Sequence, residues 1–153
     1  MFDHVDHGYK IQEMSADTSS KGRFYTTPTG AILPSVTTVL SVQDKSGLDA
    51  WRNKVGDAEA NRVMKQASLR GTAVHQLAED YVNNDPDWKK GAMPVNLFTF
   101  NTIKTVLDDS LSNVWAQEAP LYSERLSVAG RVDCIGEWNG VLSIIDYKTS
   151  RRP

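Results

Sequence analysis

A single cysteine, Cys134, is the first thing this 153-residue sequence is short of. One thiol excludes an internal disulfide and any site needing four thiolates, whether zinc or iron–sulfur. The simplest setting for such a chain is a reducing interior rather than a secreted environment. Long apolar runs are also missing. No stretch approaches the roughly 18 residues a membrane span needs, and MFDHVDHGYK at the start has neither the apolar core of a signal peptide nor the arginines of a transit peptide. A strong charge of either sign is absent as well: the net charge is −2, so a nucleic acid would have to be held by a local basic patch. What remains, 40% hydrophobic and 24% charged residues in one domain's length, is enough to bury a core.

Pattern along the chain predicts helices first and strands after. Residues 1–22 are polar and predict a loose or edge-paired start. FYTTPTGAIL (24–33) reads as a hairpin around Pro28-Thr29-Gly30, and PSVTTVLS (34–41) as a short helix capped by Ser35 or a neighbouring threonine. Helical composition covers 47–56 and 58–83. A third helix is expected over 95–115, with Leu97, Phe100, Ile103, Val106, Leu107 and Leu111 on one stripe. Strands follow at 118–125, 127–138 and 141–149. The order suggests α/β or α+β with helices packed on a sheet; the fold class expected is α/β, a mixed sheet with an antiparallel hairpin meander flanked by helices.

The hairpin carries the chemistry. Asn139-Gly140 between β-patterned runs is a strong signal for a two-residue type I′ turn. Paired residue numbers then sum to 279, which sets Ile135 against Ile144, Asp133 against Asp146 and Arg131 against Lys148. Alternation puts Asp146 and Lys148 on one face, with Asp133 opposite Asp146 at a Cβ separation of about 5 Å. Two carboxylates at that spacing repel by about 3 kcal/mol at an effective dielectric of 20. A sheet tolerates this if one acid is protonated or a cation sits between them, and for a cation the oxygen ligands suit magnesium or manganese. The competing explanation is a pair of surface ion pairs with Arg131 and Lys148, but the apolar VLSII before Asp146 suits a buried strand better. Upstream, His75 and Glu79 lie one helical turn apart and in line with Gly71, beside an apolar stripe of Val74, Leu77, Ala78 and Tyr81. Taken alone, His75 is more simply a residue filling the helix–sheet boundary, and His4 and His7 more simply residues of a frayed terminus.

In order, Pro34-Ser35-Val36-Thr37, Gly71 with His75, Glu118, Gly130-Arg131-Val132-Asp133 and Ile145-Asp146-Tyr147-Lys148-Thr149 resemble the RecB-type branch of the PD-(D/E)XK nuclease superfamily. Within it they are most similar to the mitochondrial genome maintenance exonucleases and related phage exonucleases, over roughly residues 33–152. The resemblance implies a restriction-endonuclease-like core and a metal-dependent exonuclease acting on single-stranded DNA or DNA ends. It implies that Asp133 and Asp146 bind Mg²⁺ or Mn²⁺, that His75 and the Tyr147 carbonyl complete the shell, and that Lys148 positions the attacking water. Glu79 and Glu118 would act through water. Ser35, Thr37, Arg70, Arg131, Thr149, Arg151 and Arg152 would contact phosphates, and Trp51 or Trp88 would stack on bases. The four-cysteine cluster of some relatives is not expected. The family's next helix, past the lysine strand, has no counterpart before Pro153, so 1–153 reads as a single nuclease domain truncated at its C-terminus. An endonuclease of the same fold and a non-catalytic DNA-binding module are the two rival readings.

Overall fold

The structure, a computed structural model, describes residues 1–43 and 45–149. It is a mixed α/β arrangement whose main sheet has the strand order β1-β5-β6-β7, with a separate three-stranded sheet β2-β3-β4. In the main sheet β1 (Asp3–His4) runs parallel to β5 (Leu111–Ser123), and β5, β6 (Val128–Trp138) and β7 (Val141–Ile145) form the antiparallel meander. The small sheet joins β2 (Ser15–Ser19), β3 (Gly22–Thr26) and β4 (Ile32–Pro34), all antiparallel. Among the described residues, four helices complete the order: α1 (Val36–Leu40), α2 (Ser46–Val55), α3 (Asp57–Val82) and α4 (Pro94–Ser110).

The Asn139-Gly140 turn forms as its chemistry requires. Both residues take positive φ, 50° and 78°, and the ladder from Trp138–Val141 to Cys134–Ile145 keeps the register that the two-residue loop dictates. Gly56, at φ 85°, separates α2 from α3. On α3, Val74, Leu77 and Ala78 face inward onto the sheet, meeting Phe100 and Leu107 of α4, Leu111 and Val114 of β5, and Cys134 of β6. Leu111 and Val114 account for a difference from the sequence pattern. The expected helix 95–115 ends at Ser110 and the strand starts seven residues before 118. Leu111 belongs to the core, but it enters from a strand, so its place on the helical stripe is coincidental. The ladder shifts register between Leu111 and Ala116. There Gly136 is needed, because a Cβ would sit 2.6 Å from Leu111 Cδ1 and 3.0 Å from the Asn113 carbonyl.

Within the first 22 residues, Asp3–His4 pairs along β5 and Ser15–Ser19 along β3. Phe2 is buried, its amide donating to Asn84 Oδ1 at 2.8 Å, and Met14 joins Tyr25, Leu33 and Ala129 in a second apolar cluster. Two apolar anchors in a polar segment are enough to hold it at the sheet edges. His4 and His7 are likewise structural: His4 Nε2 bonds the Val82 carbonyl at 2.9 Å, and His7 stacks on Trp115. Trp88 is half-buried against the core, packing edge-on on Tyr81 and Phe100 with ring centroids 5.0 and 5.2 Å away.

Cys134 is fully buried beside Tyr147, and burial pushes its thiol up from 9.0 to about 11. An unfolded chain releases that proton near pH 9 while the folded one keeps it. Stability should therefore fall as pH rises from about 9 towards 11, by about 2–3 kcal/mol from this group alone. Burial also raises the Tyr147 phenol, which adds to the trend. Urea unfolding at pH 8 and pH 10.5 checks this; equal midpoints would contradict it, and Cys134→Ala should reduce the difference.

Candidate active site

A cavity of about 820 Å³ lies where α3, β3, β5 and β6 meet. His75 and Glu79 reach it from α3, Glu118 from β5, and Arg131 and Asp133 from β6. Asp133 is drawn in by two partners. Its Oδ2 accepts the Tyr147 amide at 2.7 Å and lies 3.4 Å from His75 Nδ1, and its side chain is only 14% exposed. The His75 ring also meets the buried Tyr147 ring edge-on, 5.8 Å between centroids.

Glu118 falls across from Asp133. The pairs Gln117–Cys134 and Ala119–Val132 both sum to 251, and 118 and 133 give the same sum. The backbone is strained there, at φ 47° for a non-glycine residue, and such strain gathers at functional sites. The Arg131 guanidinium donates to the Glu118 carbonyl that this distortion turns outward. Burial, and then the neighbouring carboxylates Glu79 and Asp133, hold the Glu118 carboxyl above its ordinary range. A carboxyl held up by burial and by neighbouring acids marks a place where a cation is favoured. In donor type, three carboxylates and an imidazole suit a hard divalent ion. Among the described residues, no group of three His, Cys, Asp or Glu side chains already stands as a metal cluster.

The facing pair expected from the hairpin is not formed. The ladder ends at Cys134–Ile145, one step before Asp133 and Asp146 would meet. Asp146 instead pairs with Lys148 at 2.7 Å, both well exposed, and the two border a different cavity of about 290 Å³ against α4. The cause lies at Tyr147. Its ring is buried in the core beside Cys134, and its amide, rather than the Asp146 side chain, meets Asp133. The Glu118–Asp133 cross-strand position takes the place of the acid pair that turn geometry alone suggested.

Other candidate residues divide. Thr37 borders the main cavity. Ser35 is buried, and its Oγ is used as the cap of α1, accepting the Thr38 amide at 3.0 Å. Thr149 lies near Gly71, where an added Cβ would stand 3.7 Å from its Oγ1, an ordinary contact. Packing among the described residues therefore does not demand glycine at 71, although Gly71 borders the cavity. Arg70, on α3, and Trp51, on α2, do not line it, and Arg151 and Arg152 lie outside the described residues. Arg23, Tyr25, Thr72 and Gln76 line the same cavity without having been legible as candidates. Thr72 and Gln76 flank His75 on α3, a signal that helical spacing contained. Arg23 and Tyr25 come from a sheet whose approach is purely tertiary. No described helix is long and apolar enough to cross a membrane.

No protein-family model matches the chain. Among curated proteins it is similar to mitochondrial genome maintenance exonuclease 1. The Homo sapiens protein is 28% identical over 132 residues, 80% of this chain and 38% of that protein. The Mus musculus protein is 26% identical over 129 residues, 79% and 38% of the two chains, and that of Xenopus tropicalis is 25% identical over 129, 79% and 37%. The chain thus spans under two fifths of the length of these relatives, and the likeness is distant. Across four fifths of its own length, this α/β chain is similar to proteins named as exonucleases.

Proposed function

We propose that the chain carries the hydrolytic site of a metal-dependent DNA exonuclease of the PD-(D/E)XK type, with residues 1–153 as one nuclease domain. The observation that carries the reading is the acidic cavity, where Asp133 and Glu118 oppose each other across β5 and β6 and His75 and Glu79 close the side. Similarity to named exonucleases over most of the chain supports it independently. Asp133 and His75 would hold Mg²⁺ or Mn²⁺, with Glu79 and Glu118 acting through water. A bound cation of that kind supplies Lewis-acid activation of a water and of the phosphodiester. The roles of Asp146, Lys148 and the Tyr147 carbonyl follow from the family resemblance. Lys148 would orient the attacking water, a task suited to a flexible ammonium. Thr37, Thr149 and the arginines 70, 151 and 152 would meet DNA phosphates. The lone buried thiol suits a reducing compartment.

The test uses end-labelled linear and circular single-stranded DNA with Mg²⁺ or Mn²⁺. Digestion of the linear strand, stopped by EDTA and sparing the circle, is expected. Cleavage of the circle would transfer the site to an endonuclease, and no cleavage with either metal would overturn the reading.

A further inference from the structure

Two arginines border the acidic cavity, and their surroundings differ. Arg131 is engaged at both ends of its guanidinium. One nitrogen donates to the Glu118 carbonyl, and the other pairs with the Glu13 carboxylate at 2.6 Å. It therefore braces the strained turn at Glu118 and ties the N-terminal segment to β6. Arg23, on β3, has no carboxylate paired with it among the described residues. Its guanidinium lies over the Tyr25 ring, 5.2 Å from the centroid, which leaves its N–H edges available.

The backbone of Arg23 is also fixed with unusual thoroughness. Its amide donates to Thr38 Oγ1 at 2.9 Å, and its carbonyl accepts the Ser35 amide at 2.8 Å and Thr38 Oγ1 at 3.1 Å. Ser35 Oγ in turn donates to Thr38 Oγ1 at 2.8 Å. Preceding it, Gly22 sits at φ 116°, and a Cβ there would lie 2.5 Å from Thr38 Cγ2. Only glycine lets Thr38 come this close. Thr38 Oγ1 and the Ser35 amide thus hold the Arg23 backbone, while Ser35 Oγ caps α1 and orients Thr38. A cation with a pinned backbone, a stacked guanidinium and no anion of its own among the described residues, at the rim of a cavity floored by carboxylates, is suited to an anion brought in by the substrate.

We propose that Arg23, rather than Arg131, is the cation of this cavity that binds a DNA phosphate, positioning the phosphodiester against the acids, and that Ser35 and Thr38 act by fixing it. The proposal rests on the nuclease reading and deepens it.

Binding of fluorescein-labelled oligothymidylate, measured by anisotropy in EDTA at several salt concentrations, tests it. Arg23→Gln and Arg23→Met should each weaken binding about tenfold or more. Each should also lower the slope of log affinity against log salt by about 0.7, the loss of one phosphate contact on a single strand. Arg23→Lys should restore the slope and part of the affinity. Arg131→Gln should lower the melting temperature and keep the wild-type slope. A merely structural Arg23 would move the melting temperature and leave the slope unchanged. Neutral variants with wild-type affinity and slope, or a slope lost in Arg131→Gln instead, would overturn the assignment while leaving the nuclease reading intact. A wild-type protein that binds no oligonucleotide in EDTA or with Ca²⁺ in its place would overturn both.

Discussion

Asp133→Asn should reduce DNA hydrolysis by about three orders of magnitude, the upper range for one preorganised electrostatic contact, while the protein stays folded. Asparagine keeps an oxygen where Asp133 Oδ2 accepts the Tyr147 amide, so that buried N–H retains a partner. An alanine would orphan it at a cost of about 1–3 kcal/mol and confuse activity with stability. What asparagine removes is charge, at the point where β6, α3 and the end of β7 converge: His75 Nδ1 is 3.4 Å away and Glu118 is opposite. Removing one of several mutually repelling acids relieves strain among the rest, so melting should shift by a few degrees at most. Initial rates on linear single-stranded DNA and a thermal melt provide the check. A variant that keeps more than a tenth of the activity would remove Asp133 from the site.

Phe100→Ala should be the most destabilising single truncation in the α3–α4 packing. Phe100 is fully buried and meets two rings edge-to-face, Tyr81 at 5.6 Å and Trp88 at 5.2 Å between centroids. Phenylalanine-to-alanine changes in cores cost about 3–5 kcal/mol, and each aromatic pair adds about 0.5–1.5 kcal/mol to plain burial. For a chain of this length each kcal/mol lowers the melting temperature by about 2–4 °C, so a fall of about 10 °C or more is expected. The loss should extend to the active site, because α3 is held against the sheet by the same cluster that positions His75 and Glu79. A fall below 3 °C in a thermal melt would mean that α4 contributes little to the core.

The parts of this structure that local chemistry decides were readable from the residues. Asn139-Gly140 sets a turn that few other dipeptides make, and it fixed the register of five ladder pairs. Gly56 interrupts a long helical run, and the Val74, Leu77, Ala78 stripe identifies the buried face of α3. Legibility ends where two elements satisfy the same pattern or where tertiary approach decides. Leu111 fits a helical stripe and a buried strand equally well, and the β1 and β6 neighbours of β5 choose the strand. Periodicity also carried the hairpin one pair too far. Tyr147 buries its ring and gives its amide to Asp133, so Asp146 and Lys148 border another cavity. Arg23 and Tyr25 could not be connected to the site from spacing, since the small sheet meets the main one through packing and an isolated bridge between Ser35 and Ala129.

The central claim is that the cavity beside Asp133 receives a divalent metal. Crystals soaked in manganese, with diffraction collected to reveal its anomalous signal, test this most directly. The account predicts a peak within coordinating distance of Asp133 and His75. A fully soaked crystal with no peak there, or with manganese only against the exposed Asp146–Lys148 pair, would contradict it.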